Sequence, residues 1–150
     1  KDTIEGNAIL KANYVMDKYN YNCFADDTGL EVDALDGKPG VYSARYAGEQ
    51  RDSNDNMDFL LKNLEDKENR SAQFKTIIAL VTDKEKILFS GICRGEIIKE
   101  KRGEKGFGYD PIFVPEASKK TFAEMSQDEK AEHSHRGKAI RELIDYLKVD

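Results

Sequence analysis

Two adjacent carboxylates, Asp26 and Asp27, follow the apolar run Cys23-Phe24-Ala25 and stand directly before Thr28-Gly29. The run reads as a short buried strand. A carboxylate at a strand end beside a glycine turn is well placed to hold a divalent cation. If the backbone stays extended, neighbouring side chains point to opposite faces. The two carboxylates then share no proton: one faces the site, and the other supports the loop from behind. A pair of solvated turn residues accounts for the same pattern equally well.

Three further clusters could do chemistry. Asn7 and Lys11 are four residues apart, on one face of a helical stretch, and Lys11 emerges between Leu10 and Ala12. Such a lysine can reach a phosphate, or can simply lie along its own helix. In Gly106-Phe107-Gly108-Tyr109-Asp110-Pro111, two glycines flank one phenylalanine. The backbone can turn sharply there, the ring offers a flat surface for a base, and Pro111 holds Asp110 extended. An aromatic plug in a tight loop is the plainer reading. Ser134-His135-Arg136-Gly137 lies near the start of the last helix. Free N–H groups, the forked donors of Arg136 and one more donor from His135 suit a carbonyl or ring-nitrogen acceptor. Lys130 lies just upstream, and His133 reads as ordinary surface. Two histidines and two cysteines, poorly spaced, argue against zinc. Neither a Gly-x-Ser-x-Gly elbow nor a Walker loop is present.

These residues must be positioned by a chain of 150 residues, one domain's length. The charge is −5, from 24 basic and 29 acidic residues, which argues against a duplex-DNA or polyanion binder. It leaves room for a small phosphorylated ligand. No apolar run is long enough to cross a bilayer. Cys23 and Cys93 form neither a CxxC motif nor a disulfide framework, so a reduced, cytoplasmic setting is expected. The chain opens at Lys1 without Met, which fits either processing or the loss of an N-terminal segment.

Asp2-Thr3-Ile4-Glu5 predicts a capped helix start with a carboxylate reaching back. Ile4, Ala8, Ala12, Val15, Met16 and Tyr19 follow at helical spacing, and Asn20-Tyr21-Asn22 ends the helix. After the Asp26–Gly29 loop, Leu30–Ala34 alternates as a strand, and Asp36-Gly37 turns. Lys38–Gly48 is an ordered loop. A helix from about Ser53 carries Met57, Leu60, Leu61 and Leu64. Ala72–Thr82 is the strongest strand. It is followed by a turn at Asp83-Lys84-Glu85, a return over Lys86–Cys93, and a continuation over Arg94–Glu100. Lys101–Asp110 is a loop and Pro111–Val114 a short strand. Thr121-Phe122-Ala123-Glu124 and Ser126-Gln127-Asp128-Glu129 are successive capping boxes. The terminal helix follows, with Ile140, Leu143, Ile144 and Leu147 predicted to face inward. Helices mixed with hairpin strands give one α/β or α+β domain.

Taken in order, Asn7–Ala12, Phe24–Leu30, Pro39–Tyr46, Gly106–Phe113 and Ser134–Gly137 resemble the inosine triphosphate pyrophosphatase family, which cleaves non-standard purine nucleoside triphosphates. The conjunction spans nearly the whole chain. The resemblance implies an α/β domain over residues 1–150, with a mixed β-sheet flanked by helices. It also implies that the family's N-terminal strand, its Ser/Thr-x-Asn-x-x-Lys phosphate loop and an acidic residue lie outside this chain, leaving the site incomplete.

The implied reaction is Mg²⁺-dependent hydrolysis of ITP, dITP or XTP to the monophosphate and pyrophosphate. By the same resemblance, Asp27 holds the metal and serves as base, assisted by Asp26. Lys11 meets phosphate oxygens, and Thr28 adds a polar contact. Phe107 stacks on the purine, with Gly106 and Gly108 making room, and Tyr109 and Asp110 complete that loop. Lys130, His135 and Arg136 address the base edge. A donor-rich pocket leaves adenine's 6-amino group mispaired, at roughly 1–3 kcal/mol. A homodimer is implied, with no nucleic-acid or membrane partner. The alternatives are a nucleotide-binding domain without catalysis and a septum-inhibitor-type pyrophosphatase for pyrimidine triphosphates. The Ser-His-Arg segment disfavours the latter.

Overall fold

The computed structural model describes residues 2–19 and 22–148. Helix α1 spans Ile4–Tyr19. Thr3 caps it, its hydroxyl accepting from the Gly6 amide at 2.9 Å and satisfying one of the free N–H groups of the first turn. Glu5 does not reach back to the cap. It takes the ammonium of Lys75 at 2.7 Å, a charge-assisted bond stronger than one to a neutral amide. That bond holds its carboxyl below the usual range. The helix stop expected at Asn20-Tyr21 lies outside the described residues.

Five strands form one sheet: β1 (Cys23–Val32), β2 (Pro39–Gly40), β3 (Ser71–Val81), β4 (Lys86–Ile97) and β5 (Phe113–Pro115). Their order is β2-β1-β3-β4-β5. Helices flank the sheet as expected for an α/β fold. The pairing is not mixed: among the described residues every pair is antiparallel. The tight connection between β3 and β4 permits nothing else for that pair. The two pieces expected for β4 are one strand, and the short strand expected at Pro111–Val114 is a 3₁₀ turn over Asp110–Ile112 leading into β5.

A larger correction concerns Asp26-Asp27-Thr28-Gly29. These residues are not a loop between two strands but the middle of β1, paired with Ile78, Ile77, Thr76 and Lys75 of β3. Local turn preference loses to the long apolar partner, because strand propensity is set mainly by cross-strand neighbours.

Alternation then sorts the side chains. Ile77, Ala79 and Val81 pack under Ile4, Ala8 and Ala12 of α1. On the opposite face Ile78, Leu80 and Phe89 meet Ala139 and Leu143, which belong to helix α4 (His135–Lys148). The largest cluster joins Leu30, Val32, Phe74, Phe113 and Phe122 to Leu60 and Leu64. Met57 and Leu60 lie on helix α2 (Ser53–Asn63), which Asp52 caps through the Asp55 amide. Burying each large apolar side chain contributes about 1.5–3 kcal/mol. No helix of the described residues is long and apolar enough to cross a membrane.

Both capping boxes form, the second opening helix α3 (Gln127–Glu132). The terminal helix is less buried than its sequence suggests. Ala139 and Leu143 face the sheet, whereas Ile140, Ile144 and Leu147 are exposed. The helix touches the sheet along a single narrow stripe, and those three residues fall to one side of it. The first turn of α4 sits directly over Gly91 of β4, where a Cβ would overlap the His135 carbonyl and the Ala139 amide. Gly91→Ala should therefore lift the start of α4 and destabilise the fold by about 1–3 kcal/mol, the range for overpacking. Urea unfolding measures this, and a loss under ~0.5 kcal/mol would show that the helix can shift at no expense.

Candidate functional site

The Gly106–Asp110 turn is folded around a buried carboxylate. Asp110 is 4% exposed. It accepts from the Phe107 amide at 3.0 Å and from Lys130 at 2.7 Å. Gly106 has φ +79°, and a side chain there would collide with the Asp110 carboxylate, so the turn requires glycine. Tyr109 is buried beneath it and donates to the Ser43 carbonyl at 2.7 Å. Burial pushes its phenol far above the usual range. With both neighbours anchored, the Phe107 ring stands out of the surface, 80% exposed. It is a presented ring rather than a plug. Lys130, on α3, lies 4.7 Å from the Phe107 centroid and 5.6 Å from that of Phe122. Its Asp110 partner is too buried to be left alone: breaking such a pair typically costs about 3–5 kcal/mol.

Opposite this turn stands the beginning of α4, where Ser134 accepts from the Gly137 amide at 2.9 Å. The His135 ring stacks on Phe74, with centroids 5.1 Å apart and planes at 18°. Its Nδ1 is 2.7 Å from the Thr76 hydroxyl, which is 2.8 Å from that of Thr28. Burial, with Lys130, Arg136 and Lys138 adding repulsion, pushes the imidazole down to about 4. At neutral pH His135 is uncharged, with one donor and one acceptor nitrogen. Arg136 is not remote from the carboxylates, as their sequence separation suggests. It pairs with Asp26 at 2.9 Å, leaving its other N–H groups for a further acceptor.

Between these elements lies a cleft of roughly 830 Å³, of the size that takes a small molecule. Thr28, Phe107, Gly108, Tyr109, Asp110, Lys130, His135 and Arg136 all line it. Lys11, Asp26 and Asp27 do not. The even residues of β1 face the cleft side and the odd ones face α1, so Asp26 goes to Arg136 and Asp27 to Lys11. Lys11 lies 3.0 Å from both Asp27 Oδ1 and the Asp26 carbonyl. The two groups meet at β1, whose pairing with β2 is confined to Leu30 and Glu31.

Among the described residues no group of three or more His, Cys, Asp or Glu side chains is arranged to hold a metal ion. Mg²⁺ differs from zinc here, because it commonly takes one or two carboxylates and completes its shell with water and substrate phosphates. Asp27 offers such a donor: Lys11 engages Oδ1, and no protein partner engages Oδ2 among the described residues. One unengaged carboxylate oxygen fits a divalent ion that takes most of its ligands from elsewhere.

Sequence reasoning missed Phe74, Thr76, Arg51, Asn56 and Arg141. Arg51 and Arg141 line the cleft from positions that read as plain surface charge. Asn56 is buried, accepting from the Ala47 amide and donating to the Ala44 carbonyl. Thr76 left a trace: it breaks the run around Ile77-Ile78 on the inward face of a strand, where a hydroxyl needs a partner.

An antiparallel sheet carries helices on both faces, and its cleft presents an exposed aromatic ring beside several cations, an arrangement with the chemistry to take a flat, anionic ligand. The chain belongs to the Ham1 family, whose pattern it matches over residues 1–146. It is 65% identical to the dITP/XTP pyrophosphatase of Flavobacterium psychrophilum, over 98% of this chain and 77% of that one. It is 63% identical to the protein of the same name from Flavobacterium johnsoniae, over 97% and 76%. The fold superposes on the structure of the Staphylococcus aureus Ham1 protein with a TM-score of 0.95 and 44% identity, covering 99% of this chain and 78% of that one.

The neutral state of His135 has a measurable consequence. A histidine whose folded value lies below its ordinary 6.5 supports the fold above that value, and the support drains away as pH falls towards about 4. His135→Gln should flatten the decline in stability between pH 7 and pH 4.5, compared by urea midpoints. An equal decline in both proteins would assign the pH dependence to other groups.

Proposed function

We propose that this protein hydrolyses non-standard purine nucleoside triphosphates, namely ITP, dITP and XTP, to the nucleoside monophosphate and pyrophosphate. One observation carries the reading: a single cleft brings the Phe107 ring, Lys130, His135 and Arg136 together beside the strand that bears Asp27. The dITP/XTP pyrophosphatase names of close relatives support it.

The base lies on Phe107, where ring stacking and exclusion of water supply affinity. Lys130, His135 and Arg136 donate towards its edge. A 6-oxo group accepts those bonds, whereas a 6-amino group brings a second donor and leaves buried groups mispaired, at roughly 1–3 kcal/mol. Lys11 binds phosphate oxygens and holds the Asp27 carboxylate in place. Asp27 accepts a proton from the attacking water and would hold Mg²⁺, while Asp26, on the opposite face, supports the strand through its pair with Arg136. The ion, when bound, neutralises phosphate charge and organises the in-line displacement. Thr28 supplies a polar contact between the two ends. A homodimer and a cytoplasmic setting belong to the same reading. The exposed Ile140, Ile144 and Leu147 are apolar surface that a dimer could cover, and two free cysteines suit a reducing compartment.

Incubation of the full protein with ITP and Mg²⁺ should release pyrophosphate and IMP, and EDTA should stop turnover. IDP and orthophosphate as main products would overturn the proposal. Asp27→Asn should lower kcat at least a hundred-fold, in line with loss of a general base, while leaving the urea midpoint nearly unchanged. Asp26→Asn should do markedly less, because its side chain lies on the opposite face. Equal losses in the two variants would refute that division of roles.

A further inference from the structure

The Thr76 hydroxyl lies at the centre of a buried relay. Thr76 has no exposed surface, and its Oγ1 has two polar neighbours, Thr28 Oγ1 at 2.8 Å and His135 Nδ1 at 2.7 Å. Each hydroxyl has a single hydrogen, and a buried one is not left unused, so the Thr76 hydrogen goes to one neighbour and the chain runs in one of two directions. In one, Thr28 donates to Thr76, Thr76 donates to Nδ1, and the His135 proton sits on Nε2. In the other, Nδ1–H donates to Thr76, Thr76 donates to Thr28, and Nε2 is an acceptor. The direction fixes what His135 offers to the cleft that it lines.

Among the described residues nothing else competes for the ring. Stacking on Phe74 fixes its plane, and Gly91 lets the helix start approach closely enough for Nδ1 to reach β3. Among the described residues Nε2 has no protein partner, and no side-chain nitrogen or oxygen is both buried and unsatisfied. Nε2 is therefore open to the cleft.

We propose that Thr76 is a positioning residue for base recognition: with a 6-oxopurine bound, its hydroxyl accepts from Thr28 and donates to His135 Nδ1, committing Nε2–H to the 6-oxo oxygen. This rests on the reading of the cleft as a 6-oxopurine nucleotide site. It adds a residue that touches no ligand yet sets the hydrogen-bond polarity of one that does. It also couples the two walls of the cleft. When Nε2 donates, the Thr28 hydrogen is already spent on Thr76, and Thr28 meets the ligand only as an acceptor. Charge does not enter, since the ring stays neutral in both directions.

The test uses the full protein with ¹⁵N-histidine and IMP as the probe. The chain has two histidines, so His133 serves as the internal reference. In the wild type with IMP, His135 should carry its proton on Nε2, with Nδ1 unprotonated. Thr76→Val keeps the shape but removes the hydroxyl. It should lose that tautomer preference and raise KM for ITP about ten-fold, with kcat within two-fold and ATP turnover unchanged, narrowing the ITP-to-ATP ratio. Thr76→Ser should restore both the tautomer and the ratio.

A proton on Nδ1 in the IMP complex overturns the proposal, whatever the variants do. So does a Thr76→Val protein that loses ITP and ATP turnover by one common factor, which marks a packing role. If Thr76→Val does not fold, the wild-type tautomer and Thr76→Ser still decide. A wild type that does not prefer ITP to ATP sinks the 6-oxopurine reading itself. A wild type that does, alongside an equally selective Thr76→Val, sinks the relay alone.

Discussion

Side chains two apart along an extended strand share a face, and side chains one apart do not. β1 applies this rule to its two carboxylates. Asp27 turns to α1 and meets Lys11, while Asp26 turns to α4 and meets Arg136. Two like charges on neighbouring residues would repel if they shared a face. On opposite faces each finds its own cation. The same alternation places Thr28 beside Thr76 and Ile78 beside Leu80, so the cleft and the core under α4 are continuous. Slipping β1 by one residue against β3 would exchange the two faces. The ten paired positions between these strands guard against that slip.

The other half of the arrangement depends on how closely α4 can approach. Helix starts leave N–H groups unsatisfied, and Ser134 and the cleft take up that role here. The docking is close because β4 has no side chain at Gly91. One missing methyl lets His135 reach across to β3, where the aromatic face of Phe74 and the hydroxyl of Thr76 receive it. Packing and polarity are set together: the burial that stacks the ring is also what keeps it uncharged.

Much of this could be read from the residue pattern, and the limits have physical causes. Caps and helical stripes are local, so α1, α2 and both capping boxes stand where the pattern puts them. The Gly-Phe-Gly turn and the Ser-His-Arg helix start also carry local signals, and both reach the cleft. What failed depended on distant partners. Asp-Asp-Thr-Gly has the composition of a turn, and only β3 makes it a strand. The terminal helix is apolar over more of its circumference than the sheet can cover, so Ile140, Ile144 and Leu147 remain outside. Glu5 chose Lys75, which is 70 residues away in sequence. Phe74 and Thr76 matter because of what crosses above them, which no local window contains.

Charge poses the remaining question: how a chain of net charge −5 could hold a polyanion. Net charge governs solubility and long-range steering, whereas a cleft answers to the charges in its walls. Arg51, Lys130, Arg136 and Arg141 line this cleft, with Asp110 as the one acidic residue of its lining among the described residues. Asp110 is spent on the Phe107 amide and Lys130, so it shapes the turn more than it repels a ligand. Asp26 likewise offsets Arg136 from behind. The uncancelled positive charge therefore lies at the surface of the cleft, and the acidic excess lies elsewhere. Within that field a protonated histidine would be one more cationic donor beside Lys130 and Arg136. A neutral one donates at Nε2 only in the tautomer whose Nδ1 is an acceptor, and burial, reinforced by the surrounding cations, keeps it neutral.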